Sequence, residues 1–244
     1  MEVDSDLDQD RYGDGHRLFL QSIMSRGIMH VSDVKKVLSE CGVDTETGFK
    51  EKVLLFMRMI NQRIAPINLE IRKGVEEEDG ENYYVLANTV ETPISRLSST
   101  YSPNELELFK KLVESIVGNG DGKIGSLAAI NLTDKLEKRM GKEEAQMFFN
   151  RLEDDKWIRK NSDGKISLSV RSIVELEQYI KEVYPDYIKS CDLCTKLCLQ
   201  GRQCENCGAR FHFRCLRIMF SKQGNEKRCP ERTCAAPWGQ ILLN

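Results

Sequence analysis

Between residues 191 and 234 the chain sets cysteines in pairs around one histidine: Cys191-x2-Cys194, nine residues, Cys204-x2-Cys207, four residues, His212-x2-Cys215, thirteen residues, then Cys229-x4-Cys234. Such pairs have three chemical uses: disulfides, metal ligation or thiol catalysis. Disulfides persist mainly in oxidising compartments. The N-terminal "MEVDSDLDQDRYGDG" is acidic and lacks the basic start and apolar core of a secretory signal, so a reducing compartment is expected and metal takes precedence over disulfides. Nucleophilic thiol chemistry needs a base, and His212 is the single histidine of this segment. Zinc takes four tetrahedral ligands from thiolate and imidazole, and a Cys-x2-Cys turn offers two sulfurs to one ion while backbone N–H groups hydrogen-bond to them. Eight ligands therefore imply two closed zinc sites, with Cys198 left over. A closed site has no position for a reacting water, so zinc hydrolysis is not expected.

Four ligand pairs can fill two sites sequentially or alternately. The alternate pairing is expected, with Cys191, Cys194, His212 and Cys215 at one zinc and Cys204, Cys207, Cys229 and Cys234 at the other. This cross-brace ties a stretch too short for a core of its own into one unit. The ligand order suits both a RING-type module and a PHD-type histone reader. A PHD finger has an aromatic residue two positions before its seventh ligand, where this chain has Lys227, and a methyl-lysine cage would have only Phe211, Phe213, Phe220 and Trp238 to draw on. A RING presents a hydrophobic residue in its first zinc loop and a proline after its seventh ligand, here Leu193 and Pro230. These features favour RING, although both residues also suit simple packing of the zinc loops.

The chain has 244 residues, room for two or three domains. No apolar run approaches the ~20 residues that cross a bilayer, so a soluble protein without a membrane partner is expected. After an acidic leader over 1–14, expected to be disordered, the residues to about 92 read as three helices and a hairpin. Leu18, Phe19, Ile23 and Met24 make the first apolar stripe, which Gly27 ends. Ser32 is the expected cap of a second helix carrying Val34, Val37, Leu38 and Cys41, with Gly42 just past its end. A third carries Phe49, Val53, Leu54, Phe56, Met57 and Ile60, and Pro66 stops it. "INLEIRKGV" and "NYYVLANTV" alternate as strands around the charged turn "EEEDGE".

The order recurs over 100–170. Ser102, Pro103 and Glu105 form a capping box that opens a helix with Leu106, Phe109, Leu112, Val113 and Ile116 on one face. A short strand and helix follow in "GKIGSLAAINLTDKL", then a helix in "KEEAQMFFNRLEDD" and a hairpin in "KWIRKNSDGKISLSV". The expected fold class is mainly α with small β-hairpins (α+β): two tandem winged-helix domains at 15–92 and 100–170, a connecting helix at 171–189 with Ile173, Leu176, Tyr179, Ile180 and Val183 on its apolar face, and a two-zinc cross-brace RING-like domain at 190–240.

Winged helices bind DNA or dock proteins, and charge helps to choose. The helix "KEEAQMFFNRLEDD" of the second block carries acidic residues at both ends, which repel phosphate. "KEKVLLFMRMINQR" in the first is basic but largely apolar. Protein docking is therefore the expected role. From Ser190 onward nine Lys/Arg face four Asp/Glu against a whole-chain net charge of -2, a surplus that fits a solvated surface and lacks the interleaved aromatics of a nucleic-acid groove.

Taken together, "HRLFLQSIMSRG", "LEIRKGVEEEDGENYYVLAN", "LELFKKLVESI", "LEQYIKEVYPDYIKSC" and "CDLCTKLCLQGRQCENCGARFHFRC" resemble the RING-containing non-SMC element one subunit of the structural-maintenance-of-chromosomes five-six complex, over about residues 15 to 240. The resemblance implies a partner-dependent RING-type E3 ubiquitin ligase with no catalytic residue of its own, which holds an E2–ubiquitin thioester in a reactive conformation. It implies a MAGE-type winged-helix partner, a kleisin partner, an E2 enzyme facing Leu193, Pro230 and Trp238, and a nuclear, chromosome-associated role in DNA repair and recombination; DNA is a possible, indirect partner, and direct contact is left open. A non-catalytic structural subunit, or a PHD-like histone reader, is the alternative. The last pair departs from the family's Cys-x2-Cys: "CPERTC" has two more residues, and the N–H to sulfur bonds of the second site are expected to differ. Ala235 also stands where many active RINGs carry a basic residue.

Overall fold

The computed structural model describes residues 12–89, 97–224 and 226–238. Most of the acidic leader lies outside them, but Asp14 already opens a helix. The chain divides into two compact units. The first comprises residues 1–74 and 82–90, the second residues 75–81 and 91–244. The charged turn "EEEDGE", read from sequence as the tip of the first winged helix, thus belongs by its contacts to the second unit.

In the first unit, α1 (Asp14–Arg26), β1 (Ile28–His30), α2 (Val31–Glu40), α3 (Phe49–Ile64), β2 (Leu69–Val75) and β3 (Asn82–Asn88) follow in the winged-helix order, with the sheet ordered β1-β3-β2. Strand β1 is absent from the sequence reading. Its three residues pair antiparallel with β3, Ile28 opposite Val85 and His30 opposite Tyr83, and so short a run shows no alternation. Gly27 ends α1 with a positive φ of 70° that costs glycine nothing, its N–H donating to the Ile23 carbonyl. The cap of α2 is His30, not Ser32: the imidazole accepts from the Ser32 N–H at 3.3 Å, the bond a Ser or Asp cap would make one turn start earlier than expected.

The core of this unit holds Phe19, Ile23, Val34, Val37, Leu38, Val53, Phe56, Met57, Ile60 and Ile71. The expected α1 stripe is rotated. Leu18 and Met24 are exposed, while His16 is buried and stacks on Phe56 at 4.0 Å between ring centres. A histidine with one flat apolar face completes the i, i+3, i+7 stripe that Leu18 and Met24 were expected to fill. Leu54, too, is exposed, lying off the stripe of Val53, Phe56, Met57 and Ile60 that faces the core.

The second winged helix runs through α4 (Pro103–Gly118), β4 (Lys123–Gly125), α5 (Ser126–Ile130), α6 (Lys142–Asp154), β5 (Ile158–Lys160) and β6 (Lys165–Leu168), with the sheet ordered β4-β6-β5. Its capping box is formed as the residues predict: Ser102 accepts from the Glu105 N–H and Glu105 accepts from the Ser102 N–H at 2.8 Å. The connecting helix α7 (Val170–Val183) starts at the Ser169 cap and lays Leu176 and Ile180 into the same core as Phe109, Leu112, Phe148, Phe149 and Trp157, while Val183 is exposed. Leu197 and Leu199, from between the first two cysteine pairs, enter that core as well. The chain comes close enough that a Cβ on Gly122, whose φ is +68°, would meet the Leu199 carbonyl oxygen at 2.5 Å. The cysteine segment therefore starts inside the winged-helix core. It continues through a two-residue ladder of β7 (Arg202–Gln203) with β8 (Arg210–Phe211) and the helix α8 (Phe213–Ser221). No helix among the described residues is long and apolar enough to cross a membrane.

Candidate metal centres

The eight predicted residues converge in two groups. Cys191, Cys194, His212 and Cys215 form one, Cys204, Cys207, Cys229 and Cys234 the other, and within each group the ligand atoms lie within 4.8 Å of one another. In the second group, Cys204 and Cys234 sulfurs are 3.8 Å apart, as are those of Cys207 and Cys229. A disulfide needs about 2.05 Å. Four sulfurs on a tetrahedral zinc with arms of ~2.3 Å lie about 3.8 Å apart, and sulfur and imidazole nitrogen about 3.6 Å. In the first group His212 Nδ1 stands 3.3 Å from Cys194 Sγ and 3.8 Å from Cys215 Sγ. The donor sets thus fit two zinc ions in the alternate pairing, and the ions would supply the cohesion that this stretch of the chain lacks.

The first two cysteine pairs are built by the same local turn. The Cys191 N–H donates to the Lys196 carbonyl, five residues on, and the Cys204 N–H to Ala209, also five on. The residue just past each pair, Thr195 or Gly208, takes a positive φ. The third pair has two extra residues and its turn differs as expected: the Ala235 N–H donates to the Glu231 carbonyl, whereas the Thr195 and Gly208 N–H groups donate to the carbonyls of Cys191 and Cys204. The Cys229 N–H reaches Ala236, seven residues on, so the insertion is absorbed within the loop and the closure is kept. Ala235, just past the pair, has the same left-handed conformation at φ 43°. The amide–sulfur bonds are kept too: Glu231 N–H serves Cys229 as Leu193 N–H serves Cys191, and Ala236 N–H serves Cys234 as Ala209 N–H serves Cys207.

These bonds favour thiolate. Burial pushes the Cys191 thiol up, but N–H groups of His212, Leu193 and Cys194 outweigh it and lower the pKa to about 7. Cys234 also falls to about 7, through the Ala236 N–H and the Asn206 amide, whose Nδ2 donates to the sulfur at 3.3 Å. Cys215 is driven the other way, to about 11, chiefly by burial and then by the charges of Cys191 and Cys194. Burial likewise raises Cys229. Crowded thiols cannot all ionise without a cation, which is the electrostatic mark of a ligand cluster.

The other predicted residues are spread over the module. Leu193 is 37 % exposed in the first zinc loop, and Pro230 is half-buried beside Cys229. Trp238 packs on Phe211 and Phe220, with ring centres 5.7 and 5.8 Å away. Phe211 and Phe220 are buried, so three of the four aromatics of this segment form a small core rather than an open cage. Lys227, at the position where a PHD finger has its aromatic, donates through Nζ to the carbonyls of Phe220, Gln223 and Gly224 and so caps the C-terminal end of α8. Cys198 joins neither cluster. It is buried with Glu77 on the far side of the His212 ring.

Glu77 is the residue that sequence reasoning missed. It is 4 % exposed, accepts from the N–H groups of Leu199 at 2.9 Å and Gln200 at 3.0 Å, and lies 3.1 Å from His212 Nε2. Its neighbours in the turn are engaged as well, Glu76 and Asp79 with Arg159 and Glu78 with Lys123. A run of acids between two strands reads as a solvated turn, and no periodicity distinguishes one whose partners come from the next domain.

Two winged helices, the second sharing its core with a two-cluster, RING-like zinc module, define an architectural class in which the metals hold a surface in shape rather than react. A family described as the Nse1 non-SMC component of SMC5-6 complex matches residues 16–176, and one described as a RING-like domain matches residues 191–234. The chain is 37% identical over 219 residues to the "Non-structural maintenance of chromosomes element 1 homolog" of Homo sapiens, covering 89% of this chain and 82% of that one. It is 25% identical over 239 residues to the corresponding Schizosaccharomyces pombe protein, covering 96% of each. A chain of a solved structure described as the "Nse1-Nse3-Nse4 complex" aligns with a TM-score of 0.82 at 36% identity, over 95% of this chain and 99% of that one. This chain belongs to the Nse1 family of the SMC5-6 complex.

Proposed function

We propose that this chain is a RING-type E3 ubiquitin ligase subunit of the chromosome-maintenance complex, acting in the nucleus in DNA repair and recombination. Its two zinc ions are held by Cys191, Cys194, His212 and Cys215 and by Cys204, Cys207, Cys229 and Cys234. The carrying observation is the alternate grouping of these eight side chains with all three cysteine turns closed, including the lengthened one. Such a module displays Leu193 in its first loop and Pro230 beside its seventh ligand, the pair that offers an E2 its footing. Catalysis is then positioning of the E2–ubiquitin thioester, so no side chain of this protein reacts. The winged helices, at 15–92 and 100–170, bind the MAGE-type subunit and with it the kleisin subunit, a reading supported by the likeness to a chain of the Nse1-Nse3-Nse4 complex; the connecting helix at 171–189 leads from them to the zinc module at 190–240.

Purified full-length protein with its MAGE-type partner is expected to accelerate discharge of ubiquitin from a charged E2, and Leu193→Ala is expected to remove most of that acceleration while retaining two zinc per chain. No acceleration over E2 alone, with zinc intact, would overturn the ligase reading. In that event the second reading stands, a zinc module that only completes the complex. Two observations favour it: Trp238 is committed to the module's own core, and Ala235 stands where a basic contact to ubiquitin is expected.

A further inference from the structure

His212 has two ring nitrogens, and the structure gives them opposite surroundings. Nδ1 faces the sulfurs of Cys194 and Cys215. Nε2 faces two oxygens, the Leu197 carbonyl at 2.9 Å and Glu77 Oε1 at 3.1 Å, with the Cys198 thiol beside them. Only a protonated nitrogen satisfies two acceptors, so Nε2 carries the hydrogen and the Nδ1 lone pair is left for the metal. The Glu77 carboxylate is itself held, since both its oxygens accept backbone N–H groups, from Leu199 and Gln200. Those residues lie between the first two cysteine pairs. We propose that Glu77 is the outer carboxylate of the first zinc site, a positioning residue that fixes the His212 tautomer and ring and thereby slows release of that zinc. This deepens the zinc assignment made above and rests on it. A carboxylate behind a zinc-bound imidazole raises its basicity and restrains its rotation, and removing one typically weakens metal retention by about 10- to 100-fold.

The acidic turn also carries Glu76, whose bond to Arg159 at 3.3 Å touches no cysteine or histidine. It supplies the control: Glu76 Oε1 accepts from the Glu77 N–H at 3.2 Å, a bond that the amide oxygen of a glutamine can still accept, so Glu76→Gln removes the charge facing Arg159 and leaves what faces His212 in place. The experiment compares the full-length wild-type chain with Glu77→Gln and Glu76→Gln, neither of which changes volume greatly. Zinc per chain is measured first. Release into excess chelator is then followed, and the His212 ring nitrogens are read by nitrogen-15 NMR. Wild type holding two zinc and releasing them in two phases, with Nε2 protonated, is the starting condition; fewer than two zinc would overturn the metal reading itself. Glu77→Gln is expected to accelerate one of the two phases by about 10-fold or more and leave the other unchanged, with the His212 signals shifted. Glu76→Gln is expected to leave both phases within about two-fold. Equal acceleration by the two variants, acceleration of both phases together, or no change in Glu77→Gln would each overturn the role of Glu77. If Glu77→Gln does not fold, Glu77→Asp takes its place, and the same outcomes decide.

Discussion

The two cysteine clusters share one local turn but sit in different company. The first is flanked by Leu197 and Leu199, which enter the core of the second winged helix, and by Glu77, which ties it to the acidic segment 75–81. The second is supported by its own loop: Asn206 and backbone amides serve its sulfurs, and Cys207 is exposed. One metal centre is thus tethered to a domain core by the residues beside it, and the other is a clasp within the module's own small core. The difference teaches that a cross-brace need not be an independent bead. Its first half can be assembled by the domain before it, while its second half stands on the module's own small core and hydrogen bonds.

The largest effect should come from removing one ligand at each centre. Structural zinc contributes about 10 kcal/mol or more to folding of its module. Both Cys191→Ser and Cys234→Ser are therefore expected to lose one zinc of two. Cys191→Ser should also lower the main calorimetric transition of the second winged helix, whereas Cys234→Ser should leave that transition in place. Equal shifts in both variants would erase the distinction between core and clasp.

Leu199→Ala tests the same distinction without touching a ligand. Leu199 is 5% exposed, and truncating a buried leucine costs about 2–5 kcal/mol. Chemical denaturation should show that loss in the winged-helix transition while metal analysis still finds two zinc. A loss confined to the zinc module would mean that Leu199 belongs to the wrong side of the comparison.

The smallest effect is expected at Ala235, where a non-glycine residue holds φ 43°. Left-handed backbone costs such a residue about 1 kcal/mol, partly offset by the greater freedom of glycine in the unfolded chain. Ala235→Gly should slow chelator release of the second zinc slightly and leave the first unchanged. Faster release of the second zinc would show that the lengthened turn depends on the alanine side chain.

Local signals were legible because the structures they report are local. Ser102, Pro103 and Glu105 make a capping box from four consecutive positions, and Gly27 ends its helix by its own conformational freedom. The spacing within Cys191-x2-Cys194 and Cys204-x2-Cys207 dictates a turn that needs no outside partner. The misjudged residues are those whose role depends on distant chain. Strand β1 exists because β3 lies opposite it, and His16 is buried because Phe56 offers it a face. The lengthened "CPERTC" is legible in part: its spacing marks a changed turn, while the closure it keeps depends on where the Ala236 carbonyl ends up.

The sequence by itself determined the main helices and hairpins, their order, the eight candidate ligands and the family resemblance, since helix caps, turns and the spacing within each cysteine pair act over a few residues. Tertiary structure alone decided that Glu76 and Glu77 are buried and that Leu197 and Leu199 leave the zinc module for a winged-helix core. It also decided that His212 turns Nδ1 to the sulfurs and Nε2 to a carboxylate 135 residues away. A charged side chain is buried only where enough donors meet it, and those donors come from parts of the chain that no local pattern links.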